Sequence, residues 1–550
     1  MASAHQPNIL WISLEDTSPR FGCYGDDVAQ TPNIDSIAAD GRVYTEACAT
    51  AGVCAPSRAS VITGCHQTAI GTHHMRTKHM NEDTPKLPTP YSSVPPHYVT
   101  AFPEFLRAAG YYCTNNSKTD YQFDNLGESQ HDFDAPVSIW DENHKDAHWR
   151  NRPDDDQPFF AVFNPIRTHE SGMWEEGLVG VNGEPETDPD AVDVPPYLPD
   201  TNGVRKAIAR QYDNIARSDE EVGRLLRELR EDGLADDTIV FIWSDHGEGL
   251  PRAKRSLYDS GINVPLVVRW PGEIEGGERS QRLVSLLDLG PTVLSLAGVD
   301  IPTWMQGRPF LGPGADEPRE SLLAARDRID ESYDMVRAIR TDQYKYIRNY
   351  DPTNPPLVWV PFRARGEAMQ DLLRLHAEGE LDGPAAELLS CDRPVEELYD
   401  VAADPHEIDN LADDPAHSET LAELRAVMDD RLDAPGDRGH LDETQMVEQM
   451  WPGGEQPVTE TPTFVPNAPE NRMTAATPTG GEFTAPTTVT LHCDTQGASI
   501  VYATGETDDS RWKLYTTPIE LDEGETTIRT KAIRYGYEES DVRAASFTVN

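Results

Sequence analysis

The sequence predicts an α/β protein: a mostly parallel mixed sheet flanked by helices, then a smaller α+β subdomain, then an appended all-β sandwich. Three observations carry this expectation. Short apolar runs alternate with amphipathic stretches through the amino-terminal part, the pattern of strands covered by helices on both faces. Near Met335 the texture changes to period-two alternation. A stretch rich in Pro, Glu, Thr and Gly then precedes a series of short alternating segments with Gly and Asp turns. A chain of 550 residues is too long for one core. The expected division is 1–335 for the main α/β domain, 336–434 for its subdomain, 435–472 for a linker and 473–550 for the sandwich.

The elements follow in order. Asn8 to Leu14 is an apolar run suited to a buried parallel strand, ending in Glu15-Asp16. Thr31 to Asp40 reads as a helix, with Thr31 as cap and Pro32 in its first turn. Phe102 to Ala109 is helical, Gly110 breaks it, and Tyr111 to Thr114 enters a strand. Pro158 to Phe163, Asp237 to Ser244 and Pro265 to Arg269 are further strands, and Val204 to Arg230 is a long amphipathic helix. Leu286 to Ala297 is a helix containing Gly-Pro. Val336 to Tyr350 alternates like an antiparallel pair, Glu397 to Ala412 reads as loop, and a helix runs on to about Asp433. In the sandwich, strands are expected at Thr487 to His492, Ala498 to Ala503, Thr526 to Ile533 and Ala544 to Val549. Polar groups follow the apolar runs directly, at the carboxyl ends of strands, where sites in parallel sheets form.

Charge sets further bounds. With 95 Asp and Glu against 47 Lys and Arg, the formal net charge is −48. Such a surface repels nucleic acid and anionic membranes at low salt, so neither is an expected partner. The excess is spread through the chain, which reads as a halophilic surface of hydrated carboxylates. An anionic substrate would then need a local positive pocket inside a negative shell. In about 1 M salt the long-range repulsion is screened within about 3 Å. Seven cysteines, at 23, 48, 54, 65, 113, 391 and 493, form no C-x-x-C pair and suggest no disulfide framework. No charged and apolar leader opens the chain and no run is long enough to span a membrane, so a cytoplasmic protein is expected, with secretion left open.

The most specific motif is Cys54-Ala55-Pro56-Ser57-Arg58-Ala59-Ser60-Val61-Ile62-Thr63-Gly64. It resembles the signature of the formylglycine-dependent (type I) sulfatases of the alkaline phosphatase superfamily, C-x-P-S-R-x-x-x-L-T-G, with Ile62 in the Leu position. The resemblance implies an alkaline phosphatase-like fold and oxidation of Cys54 to formylglycine by a dedicated maturation enzyme. The hydrated aldehyde solves a chemical problem: one oxygen attacks sulfur, and the other later collapses to expel sulfate. Arg58 lies one helical turn beyond Cys54 and can steady the resulting charge. A helix beginning near Pro56 adds positive potential.

Two acidic pairs stand at strand ends. Glu15-Asp16 are adjacent carboxylates, costly unless a cation neutralises them. Ser244-Asp245-His246-Gly247 ends a second strand. The family resemblance makes Glu15, Asp16, Cys54, Asp245 and His246 the metal set, with Ca2+ the expected ion. Glu15 replaces the usual Asp and His246 the usual Asn, and an imidazole nitrogen also suits Mn2+. The same resemblance implies that Lys118 grips sulfate, His169 protonates the leaving group, and Lys254, selected over Arg252 or Arg255 by counting back from Leu257-Tyr258, supplies a second basic contact. Asp120 stands where the family has His, so a carboxylate is the candidate base for sulfate release. His73, His74 and Arg76 are candidates for substrate recognition, with a surface histidine pair the other reading. Arg167 is a candidate for binding an anionic substrate.

The phrases N-I-L-W-I-S-L-E-D-T-S-P, T-H-H-M-R and N-N-S-K-T-D-Y are most similar to heparan N-sulfatase (sulfamidase)-like members. E-L-Y-D…D-P-H-E…N-L-A resembles the sulfatase C-terminal subdomain, and Gly497 to Thr504 resembles the small sandwich appended to chitobiases. The resemblance implies hydrolysis of sulfate esters or N-sulfates on sulfated carbohydrate. Two rivals are a phosphodiesterase or phosphonate monoester hydrolase of the same superfamily, and a catalytically silent glycan-binding protein.

Overall fold

Asn8–Leu14 (β1) is apolar on both faces, and all but its first residue are buried. A strand with no polar face must be covered on both sides. The structure, a computed structural model, describes residues 6–80, 83–123, 134–433, 436–471, 475–505 and 511–550. The first five residues, both ends of the expected linker (435 and 472) and position 473 lie outside these. The chain divides into two compact units: Met1–Arg76, Asn81–Thr84 and Ala161–His440 form one, and Thr77–Met80, Pro85–Phe160 and Leu441–Asn550 the other.

In the first unit, α1 (Pro32–Ala39), β2 (Arg42–Tyr44) and α2 (Cys54–Thr63) follow β1. Then come β3 (Phe159–Phe163, of which this unit holds the part from Ala161), α3 (Asn202–Glu231), β4 (Thr238–Ser244), β5 (Leu266–Arg269) and β6 (Glu278–Ser280). The strands lie in the order β3-β1-β4-β5-β2-β6. β1 and β4 are parallel with Asn8 opposite Thr238 and Leu14 opposite Ser244, while β5 runs antiparallel to β4 and β2. The mixed, parallel-rich sheet is the one expected. Helix α3 starts where Thr201 Oγ1 accepts the Val204 N–H at 3.2 Å. From its middle, Asp219 accepts the N–H groups of Asn33 and Ile34 at the start of α1. A carboxylate there meets the positive end of the helix.

Beyond this sheet, β7 (Leu322–Ile329), β8 (Ser332–Arg340), β9 (Tyr344–Asn349) and β10 (Glu396–Asp400) form an antiparallel sheet in chain order. The expected antiparallel pair is β8 and β9. The reading of 397–412 as loop is corrected at its start, where β10 pairs with β9. Glu397 hid this strand: it is buried, accepting from the hydroxyls of Tyr258 and Tyr399 and from Asn349 Nδ2. Helix Ser418–Asp433 covers the sheet through Leu421, Leu424 and Met428, packed on Ile339, Tyr346 and Leu398.

In the second unit, strand Tyr112–Asn116 pairs in parallel with Glu142–Asn143. Lys118 and Asp120 follow that strand, both buried, with Lys118 Nζ 4.0 Å from the Asp120 carboxylate. Within the stretch expected to be linker, Glu443–Met450 is helical and Thr463–Asn467 is a strand. Met446, Val447, Met450 and Trp451 pack around Tyr91, an apolar spacing that the Pro and Glu content obscured. The carboxyl-terminal strands make a three-stranded and a five-stranded sheet around Phe464, Val489, Leu491, Ile528 and Phe547. They are held to the preceding segment by buried Glu104, which accepts from Ser138 Oγ (2.5 Å), Ser499 Oγ (2.6 Å) and Tyr535 Oη (2.5 Å). Phe123 stacks on Tyr535 at 4.8 Å. Among the described residues no helix is long and apolar enough to cross a membrane, and all seven cysteines are free thiols.

Two predictions follow from buried polar groups. Glu104→Ala leaves the buried hydroxyls of Ser138 and Tyr535 and the half-buried one of Ser499 without their acceptor, and should lower unfolding stability by about 3 kcal/mol in a urea titration. Buried His66 donates Nε2–H to Leu323 O and accepts from Thr68 Oγ1 at Nδ1. Burial outweighs the attraction of Asp437 and pushes its pKa down to about 4. Between pH 6.5 and 4 the unfolded chain therefore binds the extra proton, and stability falls as pH falls. The loss amounts to about 3 kcal/mol, and His66→Gln should flatten the stability profile across that window.

Candidate active site

The site begins with strand register. Because β1 and β4 run side by side and end level, the residues after each meet. Asp245 N–H donates to Leu14 O at 3.3 Å, Asp16 N–H to Asp245 Oδ1 at 3.2 Å, and Thr17 N–H to His246 O at 3.2 Å. Helix α2 then brings its first turn onto the end of β4: Ser57 Oγ donates to Asp245 O at 2.6 Å. All ten residues of α2 are buried, with Cys54 at its first position. Gly52 lets the preceding loop touch residue 256, where a Cβ would meet Ser256 O at 2.2 Å. Arg255 N–H donates to Gly52 O at that crossing.

Ligand atoms of Asp16, Cys54, Asp245 and His246 all lie within 4.8 Å of one another, and all four residues are buried. Cys54 Sγ is 3.2 Å from His246 Nε2 and 3.8 Å from Asp16 Oδ1. His246 Nε2 is 3.1 Å from Asp16 Oδ1, and its Nδ1 donates to Gly247 O. Glu15 lies outside this group of four, buried, with Oε1 3.5 Å from Arg58. Arg58 donates Nε–H to Asp245 Oδ2 at 2.9 Å and reaches Asn164 Oδ1 and Ser13 Oγ. Lys254 Nζ sits 2.6 Å from Asp16 Oδ2.

Electrostatics match this geometry. Burial opposes the charge of Asp16, but Lys254 and His246 hold its carboxyl well below the usual range. Burial likewise opposes the His246 imidazolium, yet Asp245 and Asp16 raise it well above the usual histidine range. The two buried carboxylates thus face Lys254, Arg58 and the His246 ring. A divalent cation fits this donor set, because it would take over the countercharge and release the His246 proton.

His169 follows β3 as expected, with Nδ1 2.9 Å from Ser171 Oγ. It adds to the lowering of the Asp16 and Glu170 carboxyls. His73 and His74 are buried, not a surface pair: their rings are 4.2 Å apart, and His74 Nδ1 accepts the Arg328 N–H. Half-buried Arg76 pairs with Asp330 at 2.5 Å. Arg167 is exposed and makes no ion pair among the described residues. Lys118 and Asp120 belong to the second unit.

Sequence reasoning passed over Glu170 and Asp330. Arg255 donates to both Glu170 oxygens, at 2.7 and 2.6 Å, and to Asp330 at 3.1 Å. Glu170 N–H donates to Asp16 Oδ2, and its carboxylate lies 3.7 Å from Lys254. Burial opposes Glu170 ionisation, but Arg255 and Lys254 hold it far below the carboxylate range. Asp16 (φ 43°), Arg76 (φ 56°), Arg255 (φ 74°) and Asp330 (φ 47°) adopt left-handed backbone. Each such residue costs about 1–3 kcal/mol, strain that clusters where side chains must be aimed. The one sequence signal was that Glu170 adjoins His169; its partner Arg255 lies 85 residues away.

Residues 7–299 match the family described as Sulfatase, and 247–358 the N-sulphoglucosamine sulphohydrolase C-terminal family. The chain belongs to the sulfatase family. Residues 478–544 match the chitobiase/beta-hexosaminidase C-terminal domain. An ulvan-active sulfatase of Formosa agariphila is 38% identical over 97% of this chain and 90% of its own. The human N-sulphoglucosamine sulphohydrolase is 28% identical over 77% of this chain and 89% of its own. Among solved structures, a 2-O GAG sulfatase aligns with TM-score 0.55 at 21% identity, over 80% of this chain and 94% of that one. A phosphonate monoester hydrolase from Silicibacter pomeroyi aligns with TM-score 0.55 at 19% identity, over 79% and 96%. These last two likenesses establish the fold.

Glu170→Gln should leave Arg255 and Lys254 short of a buried countercharge. A stability loss of about 3 kcal/mol is expected in denaturant unfolding, and Glu170→Asp should recover part of it.

Proposed function

We propose that this sulfatase hydrolyses sulfate esters or N-sulfates on sugars. The observation that carries the reading is the convergence of Cys54 with Asp16, Asp245 and His246 at the start of a helix, flanked by Arg58 and Lys254. The relatives named for ulvan and for N-sulphoglucosamine support a sulfated saccharide as substrate class.

In this reading Cys54 is oxidised to formylglycine by a maturation enzyme; one oxygen of the hydrated aldehyde attacks sulfur, and the other then loses its proton and collapses to the carbonyl, expelling sulfate and restoring the aldehyde. Asp16, Asp245 and His246, with Glu15 beside them, would hold a divalent ion that neutralises sulfate oxygens. Their oxygen-rich set suits Ca2+, and His246 admits Mn2+. Asp245 accepts the proton of the attacking hydroxyl. Arg58 fixes Asp245 through its Nε–H, and the α2 N-terminus adds positive potential at residue 54. Lys254 neutralises the anion held beside Asp16. His169 donates the proton to the departing group. From the sequence resemblance alone, Lys118 is given a sulfate oxygen and Asp120 the proton removed as sulfate leaves. Arg76 and Arg167, with His73 and His74, are given substrate recognition. The same reading assigns 1–335 to catalysis, 336–434 to one wall of the cleft, 435–472 to a linker and 473–550 to glycan handling. The net charge of −48 is read as adaptation to high salt.

The test uses protein from its native host. Peptide mass spectrometry should find an aldehyde at position 54, and Cys54→Ala should lower sulfate-ester turnover by about 10⁴-fold or more. Chelation should abolish activity, with Ca2+ or Mn2+ restoring it. A higher kcat/KM for a phosphate diester than for the matched sulfate ester would instead favour a phosphonate-type hydrolase. An unmodified, inactive thiol would favour a glycan-binding protein.

A further inference from the structure

A cavity of about 120 Å³ opens where the loop after α2, the start of β7 and the last turn of helix Ser418–Asp433 meet. One water needs about 15 Å³ on that measure, so the space is several waters large. His66 and Thr68 line it, just past the carboxyl end of α2, whereas Cys54 stands at the other end of that helix. Ten helical residues span about 15 Å, which sets the cavity apart from the Cys54 centre.

The polar lining offers donors and few free acceptors. Ser285, Gln306, Arg319, Arg431 and Asp437 contribute to it. Asp437 is already engaged: Arg337 donates to both of its oxygens, at 2.9 and 3.1 Å, and Gly439 N–H adds a third bond at 2.8 Å. Asp288 is likewise filled, by Arg319 Nε (2.8 Å) and Nη2 and by the N–H groups of Ser285 (3.1 Å) and Arg308 (2.8 Å). Gln306 Oε1 and Ser285 Oγ accept from the N–H groups of His66 and Leu287. Arg319 Nη1, Gln306 Nε2 and the hydroxyl hydrogen of Ser285, a residue only 3% exposed, find no acceptor among the described residues.

Arg431 and Arg308 are exposed and make no side-chain ion pair among the described residues. Exposed Asp316 acts on Arg319, but the charges acting on Arg431 are the like ones of Arg319 and Arg308. Partial burial and these two charges lower its pKa. The helix dipole accounts for a cation in the last turn of its helix, but not for its standing beside two more arginines in a chain with 95 carboxylates.

We propose that this cavity binds a tetrahedral oxyanion, sulfate or phosphate, at a site separate from the Cys54 centre. Arg431 and Arg319 Nη1 supply charge-assisted bonds, and Ser285 and Gln306 supply neutral ones. Leu322 and Leu323 add apolar wall, which excludes water and strengthens the attraction. The bound ion ties the loop after α2 to the helix that covers the antiparallel sheet. None of this depends on what the Cys54 centre cleaves.

The test titrates the full chain with sodium sulfate, and separately with sodium phosphate, at ionic strength held constant with NaCl. Affinity is read from the rise in thermal midpoint. The Cys54 centre is the same in wild type and variants, so the difference between them reports the cavity. Arg431→Gln should weaken binding of the preferred ion about tenfold, with its midpoint in NaCl alone unchanged, and Arg431→Lys should recover part of the affinity. The ion with the larger wild-type response is the one the site takes. Equal responses in wild type and Arg431→Gln overturn the proposal, and so does a wild-type midpoint that sulfate and phosphate raise no more than NaCl does. A lowered midpoint in NaCl alone, with no recovery of affinity in Arg431→Lys, also overturns it, because Arg431 then only secures the helix end.

Discussion

The level, parallel ending of β1 and β4 is the constraint on which the site depends. It brings the second residue after β1 and the first after β4 within hydrogen-bond reach, so that Asp16 and Asp245 are forced together by backbone geometry. Two buried carboxylates at that spacing are unstable without countercharge. Arg58, Lys254 and His246 therefore have no freedom to be elsewhere, and the chain segments bearing them are drawn to the strand ends.

The countercharges in turn need support. Lys254 is shared between Asp16 and Glu170, and Glu170 is gripped by Arg255, which also holds Asp330. This relay connects the parallel sheet to residue 330, at the turn between β7 and β8. Several of its members adopt left-handed backbone, so the network is held by more than its own ion pairs. Removing any single charge from such a chain strands its neighbour in low dielectric, which makes the ensemble cooperative.

Much of this was legible in the sequence because the signals were local. An apolar run followed at once by Glu15-Asp16 or Asp245-His246 reveals both a strand and its functional end. The helical turn from Cys54 to Arg58 is equally short-range, and the sandwich strands follow their alternation. What escaped was polar and buried. Glu397 made β10 look like loop, Glu170 and Asp330 looked like ordinary members of an acidic surface, and the helix at 443–450 was masked by its polar flanks. In a chain with 95 carboxylates, one that is buried carries no compositional mark. Only the partner that neutralises it distinguishes it, and that partner is remote in sequence.

Cys54 is 2% exposed, and every other residue of its helix is sealed with it. A second protein could not close around that side chain in the finished fold without unpacking α2 from the sheet. Any enzyme that alters the atom at position 54 must therefore meet the chain while it is still extended, and folding sets the deadline. On the proposed reading, in which position 54 must be oxidised for activity, molecules that fold before that encounter keep their sulfur, and the active fraction of a preparation would record a race in the cell that made it.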